Sequence, residues 1–188
     1  MDGVFHLKTP FTTETIESLR AGDKVTISGV IYGARDTAHN RLIQLIEAGN
    51  DLPIPIAGQV IYYLGCSPAP PGRVIGAAGP TSSYRMAPFI PRLLEFGLKG
   101  IVGKGKLPEE VRKVLIRYKA IYMVGIGGAG ALMAQAIKDA RIVAYHDLGP
   151  EAIRKLVVKN FPAIVVNDIV GHDLYSNGQE KYGYTKQL

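Results

Sequence analysis

At 188 residues, 47% of them hydrophobic, the chain has the length of one domain and enough apolar material for a core. It has no uncharged apolar run near the ~20 residues of a membrane helix, and Met1-Asp2-Gly3-Val4 lacks the basic-then-apolar layout of a signal peptide, so a cytoplasmic, membrane-free location is expected. The net charge of +6, from 22 Lys and Arg against 16 Asp and Glu, has no dense basic run and the ten tyrosines do not interleave with it, which argues against a nucleic-acid partner.

In chain order, residues 4–7 and 24–31 read as strands around a short helix, 14–20, that Thr13 caps and Gly22 ends. Residues 37–48 form an amphipathic helix with Leu42, Ile43, Leu45 and Ile46 inward, Arg35 and Asp36 at its first turn, and Gly49-Asn50 as its stop. A strand is expected at 59–65, a stiff irregular link at 68–71, and a short buried strand at 74–78 that Gly79-Pro80 ends. Helices follow at 91–96, 108–118, 128–137 and 150–158, three of them with proline near the first turn. Strands at 100–102, 120–124, 141–145 and 163–167 alternate with them. The pattern is a single α/β domain over residues 1–188 with a mixed sheet, and residues 176–188 are a polar surface tail.

The run Gly79-Pro80-Thr81-Ser82-Ser83-Tyr84-Arg85-Met86 is the first candidate site, with Gly103-Lys104-Gly105 soon after it. Three hydroxyls, the N–H groups of a helix start, a forked guanidinium and a compact ammonium suit a small dianion. The plainer reading makes Thr81, Ser82 and Ser83 helix caps and the two cations solvent-facing. A second candidate, Gly125-Ile126-Gly127-Gly128-Ala129-Gly130, fits a dinucleotide fingerprint, with Asp147 twenty residues beyond Gly127. Only about sixty residues follow it, whereas that fingerprint belongs on the first strand of a six-stranded unit, so close strand–helix packing is the competing account. His39, four residues after Arg35 on the same helical face, is either a hydrogen-bonded structural group or a neighbour that orients charged ligands. His6, His146 and His172 have no metal-ligand spacing, so no metal ligand is expected. The single cysteine, Cys66, excludes an intrachain disulfide and cannot alone ligate an iron–sulfur cluster, which takes three or four thiolates; it reads as a small buried hydrophobe.

Several ordered blocks resemble the β subunit of class I fumarate hydratase. They are Ala34-Arg35-Asp36-Thr37-Ala38-His39, Tyr62-Tyr63-Leu64-Gly65-Cys66-Ser67-Pro68, the 79–86 run, Gly103-Lys104-Gly105, Gly127-Gly128-Ala129-Gly130 and Asp147-Leu148-Gly149-Pro150-Glu151. L-tartrate dehydratase β subunits are similar throughout. The resemblance implies a swivelling β/β/α fold and reversible hydration of fumarate to L-malate in the tricarboxylic acid cycle. It also implies a labile 4Fe-4S cluster held by an α subunit in an α2β2 assembly, with a small dicarboxylate as substrate. By the same resemblance Arg35, Arg85 and Lys104 hold the substrate carboxylates and Thr81 is the catalytic threonine; His39, by its place on the helical face of Arg35, and Asp36 beside it are candidates to support them from behind. Tyr84 stands where that family has a small residue, and Ala87 where it commonly has aspartate, which leaves tartrate or another 2-hydroxy diacid open as substrate. A noncatalytic nucleotide-binding module built on Gly125–Gly130 is the alternative of a different class.

Overall fold

The computed structural model describes residues 3–183. Its nine strands are β1 (Val4–Lys8), β2 (Lys24–Gly33), β3 (Val60–Tyr62), β4 (Leu64–Cys66), β5 (Ala78–Pro80), β6 (Gly100–Gly103), β7 (Ile121–Val124), β8 (Ile137–Ala144) and β9 (Ile153–Asn167). The helices are α1 (Thr13–Glu17), α2 (Asp36–Glu47), α3 (Ile90–Glu95), α4 (Glu109–Arg117), α5 (Gly130–Ala136) and α6 (Leu174–Tyr182), with 3₁₀ segments at Ser83–Met86 and His146–Glu151.

Strands β2, β3, β6 and β7 run parallel in that spatial order, each β-to-β connection carrying a helix or a long loop. The long β9 runs antiparallel to both ends of the row. Its Arg154–Ile164 stretch pairs with β2 and its end, to Asn167, pairs with β7, which closes the sheet into a small barrel. β1 extends the free edge of β2 and β8 that of β9. The period-2 alternation of strand side chains decides what lies on each side. Tyr62, Val102, Ile121 and Met123 face a barrel core with Ile27, Ile31, Leu156 and Phe161, plugged by Met133 of α5. Their neighbours Ile61, Tyr63, Ile101 and Tyr122 face an outer layer formed by α2, α3 and α4 through Leu42, Ile46, Leu93, Leu94, Val111 and Leu115. The buried positions of α2 are Ala38, His39, Leu42 and Ile46, a stripe one helical face wide, while Ile43 and Leu45 lie at its half-exposed margin.

The structure is a mixed α/β domain, as the alternation of elements predicts, but several elements differ from the sequence expectation. The helix expected at 150–158 is instead the first half of β9, reached through a 3₁₀ segment that contains Pro150. Ile153, Leu156 and Val158 are buried there against β2 and β8, so cross-strand packing outweighs the proline signal. The expected strand at 59–65 breaks at Tyr63: β3 stays in the barrel and β4 turns out to pair with β5. Only Ala78 of the expected strand at 74–78 is in a strand, and Val74 is 47% exposed. Thr12, not Thr13, caps α1, through a capping box with Thr15, and α1 ends at Glu17. Residues 174–182, partly within the expected tail, are helical, with Asp173 as N-cap; residues 184–188 of that tail lie outside the described residues.

Candidate active site

Four parallel strands ending at one side of the barrel set up the site, since loops at the carboxyl ends of such strands converge there. β2 delivers Arg35 and Asp36 at the start of α2, β3 runs into Tyr63, β6 into Lys104, and β7 into the Gly125–Gly130 loop. Thr81 directly follows β5.

Arg35 is the N-cap residue of α2 in extended conformation and makes no capping bond, so its side chain is left for ion pairs. Its Nη2 donates to Glu151 Oε1 at 2.8 Å, and its Nε lies 3.6 Å from Asp36 Oδ2. The same Asp36 oxygen lies 3.4 Å from Arg85 Nη2, so one carboxylate bridges the two guanidiniums. Asp36 Oδ2 and Arg35 Nε are buried without a hydrogen-bond partner, so charge alone holds this bridge. Glu151 Oε2 also accepts the Thr37 backbone N–H at 3.0 Å at the positive end of α2. Hydrogen bonding to Thr37, followed by that to Arg35, lowers the Glu151 carboxyl to about 2 against the effect of its partial burial.

Thr81 closes the other side of this cluster. Its N–H and its hydroxyl both donate to the Tyr63 carbonyl, at 2.8 and 3.1 Å. A Cβ added to Gly65 would stand 3.1 Å from Thr81 Cγ2 and 3.7 Å from Arg35 Nη1, so glycine there lets the threonine and the guanidinium approach each other. Lys104 is tied by its backbone: Ser82 bridges to it in parallel, Ser83 N–H donates to its carbonyl at 2.9 Å, and its own N–H donates to Ser83 Oγ at 3.0 Å. Ser83 is fully buried and also accepts from Tyr122 Oη at 2.9 Å. The hydroxyl run is therefore not a free helix start. The N–H groups of Thr81 and Ser83 and the hydroxyl hydrogen of Thr81 are consumed, the 3₁₀ segment spans only Ser83–Met86, and what remains for an anion is Arg85, Arg35, the exposed Lys104 ammonium and the Ser82 hydroxyl, which makes no cap bond.

His39 is fully buried, its Nδ1 donating to the Arg35 carbonyl at 3.0 Å while Nε2 has no partner. Its ring meets Tyr63 edge-on at 5.3 Å and lies 6.0 Å from that of Phe89. Burial lowers its pKa to about 4, against the Arg35 carbonyl and Asp36, which favour the cation. His39 is thus a neutral strut under Arg35.

The glycine loop packs against the same turn. A Cβ on Gly130 would meet Gly79 N at 3.2 Å, one on Gly125 would meet Pro80 Cγ at 3.4 Å, and one on Gly127 would lie 3.7 Å from Lys104 Cδ. Close backbone approach accounts for Gly130 and side-chain packing on Pro80 and Met133 for Gly125, whereas the Gly127 contact is an ordinary one that a side chain would tolerate. Cavities of about 440 and 300 Å³ lie elsewhere, the first beside Arg73 and Lys138, the second at the barrel end lined by Val25, Ile126 and Leu132. Among the described residues no three His, Cys, Asp or Glu side chains assemble as a metal-binding group. Cys66 is half-buried in β4 against the barrel core.

The structure therefore brings Arg35, Asp36, Arg85, Thr81 and His39 into one neighbourhood and sets Lys104 beside it across Ser82–Ser83. Sequence reasoning missed Glu151 as part of this arrangement, and Ser83, expected as a free hydroxyl or a helix cap, is instead a buried support for the Lys104 backbone. Glu151 lies 116 positions from Arg35, with no periodicity to join them, and its only signal is its place in the Asp147–Glu151 block that carried the resemblance.

Fold and cluster together define a mixed α/β domain that presents guanidiniums and a threonine at the carboxyl ends of its parallel strands. The family model described as Fumarase C-terminus matches residues 3–178, and the chain belongs to that family. It is similar to the anaerobic class I fumarate hydratase of Escherichia coli, 37% identical over 154 residues that cover 81% of this chain and 28% of that protein. It is similar to the mitochondrial fumarate hydratase 1 of Leishmania major at 36% with the same coverage of each chain, 81% and 28%. It is also 34% identical over 176 residues to a Methanocaldococcus jannaschii protein assigned as an L(+)-tartrate dehydratase subunit beta, covering 90% of each chain. The chain thus spans 28% of the length of the first two relatives and 90% of the third. No helix among the described residues is long and apolar enough to cross a membrane.

Proposed function

We propose that this chain is the β subunit of a two-subunit class I fumarate hydratase, a cytoplasmic hydro-lyase that interconverts fumarate and L-malate and is active only with an α subunit, in an α2β2 assembly. The observation that carries this reading is the pair of arginines joined through Asp36 beside Thr81, at the carboxyl ends of the parallel strands. A cluster needs three or four thiolates and this chain has Cys66 alone, so its own residues do not fit a 4Fe-4S group; the proposal places that group on the α subunit.

The tasks left to this chain are binding, charge stabilisation and the placing of a hydroxyl. Removing the proton beside a carboxylate moves charge onto that carboxylate, and fixed cations already aimed at it lower the barrier. Arg35 and Arg85 can each fork onto one carboxylate, and Lys104 adds a point charge. Thr81 Oγ1 commits its hydrogen to the Tyr63 carbonyl and keeps its lone pairs for the substrate side. A threonine hydroxyl is too weak a base by itself, so its part in proton transfer needs activation by a carboxylate of the α subunit.

The match over 90% of each chain to the tartrate dehydratase subunit supports a second reading, the same chemistry on L-tartrate or another 2-hydroxy diacid. Turnover of fumarate, malate and tartrate by the co-expressed, anaerobically purified pair separates the two. A preference for fumarate and malate supports the first, and a preference for tartrate the second.

A further inference from the structure

Glu151 ends the 3₁₀ segment His146–Glu151, which Asp147 anchors to Arg41 in the middle of α2 rather than to the start of that helix. Its carboxylate nevertheless makes two bonds there: Oε1 takes Arg35 Nη2 at 2.8 Å, and Oε2 takes the Thr37 N–H at 3.0 Å. One bond fixes the rotation of the guanidinium and the other fixes the helix start from which that side chain departs. The opposite edge of the same guanidinium, Nη1, is left on the Gly65–Thr81 side. Resting on the clamp reading above, we propose that Glu151 is a positioning residue that holds the Arg35 guanidinium with its Nη1 edge turned toward the substrate carboxylate.

Two features separate this role from others open to a carboxylate near an anion site. A group that titrates near 2 is a poor proton acceptor at neutral pH, so Glu151 is a fixed charge and not a general base. A negative charge near a dianion also opposes binding. If Glu151 acted through its charge alone, its neutralisation would lower KM. If it acts by orienting Arg35, neutralisation frees the fork and raises KM. Small misplacements of a binding group cost up to about a hundredfold in rate.

The experiment is a double-mutant cycle in the assembled enzyme, wild type, Glu151→Gln, Arg35→Lys and the double variant, with fumarate and malate as substrates. Gln keeps an oxygen to accept from Thr37, so helix capping survives and the melting temperature should hold. The expected result is a higher KM and a ten- to hundredfold fall in kcat/KM for Glu151→Gln, an effect that disappears when Arg35 is already Lys. An unchanged or lowered KM, or an equal loss in both backgrounds, would overturn the proposal. The Arg35 Nε–H signal in the isotope-labelled full chain is read beside it and does not depend on turnover. It should shift and broaden in Glu151→Gln, and an unaltered signal overturns the proposal. An assembled wild type inert toward every diacid would sink the hydratase reading, while that signal still decides whether Glu151 holds Arg35.

Discussion

His39 offers a test of the site's foundation that needs no substrate. The neutral imidazole is fully buried beneath Arg35, and burial lowers its pKa to about 4, whereas in the unfolded chain it titrates near 6.5. Between those two values the unfolded chain binds a proton that the folded chain refuses, so stability rises with pH there. The contribution is complete above 6.5 and is lost as pH falls toward 4, at about 1.4 kcal/mol per pH unit, or about 3 kcal/mol across the window. His39→Asn supplies an N–H that can replace the Nδ1 bond to the Arg35 carbonyl but does not titrate. Urea unfolding across this pH range, run on both proteins, isolates the histidine because the other titrating groups are common to both. The wild type should lose stability relative to His39→Asn by that amount as the pH falls. Parallel curves, or a His39 ring signal that titrates near 6.5, would refute the reasoning.

Arg85→Lys keeps the charge and loses the fork, and kcat/KM in the assembled enzyme should fall about a hundredfold or more without loss of folding; Arg35→Met and Lys104→Met should behave alike, and wild-type kinetics would remove the residue concerned from the site. Thr81→Val keeps the β-branch and removes the hydroxyl bonded to Tyr63, so solvent exchange of the malate C3 proton should cease while substrate still binds. Near-normal exchange with a lower melting temperature would assign Thr81 to structure alone. Gly103→Ala would place a Cβ 1.9 Å from Ser83 Oγ, so it should lower the melting temperature by the equivalent of about 1–3 kcal/mol and weaken the seating of Lys104. A melt unchanged in that variant would contradict the described packing.

The parts of the molecule legible in the sequence are those whose signal is local. The stripe of α2 and the apolar runs of β6 and β7 follow from periodicity, and the charged turn at 79–86 stands out by composition. The misread segment, 150–158, has a proline that announces a helix and β-branched residues that announce a strand, and only the presence of β2 and β8 on either side decides between them. Closure of the barrel is likewise invisible locally, because β9 must pair with β2 across well over a hundred residues. For the same reason Arg35 was legible and its partner Glu151 was not. The glycine loop looks like a cofactor fingerprint because close approach to a phosphate and close approach to Gly79 and Pro80 ask the same thing of a backbone.

The most direct measurement of the central claim is malate dehydration by this chain purified anaerobically with its α partner, set against the chain alone and against the pair carrying Arg35→Met. The account predicts oxygen-sensitive turnover in the pair, none in the chain alone, and a loss of at least about a hundredfold in the variant pair. Hydration of fumarate by the iron-free single chain, or full activity in the Arg35→Met pair, would contradict it.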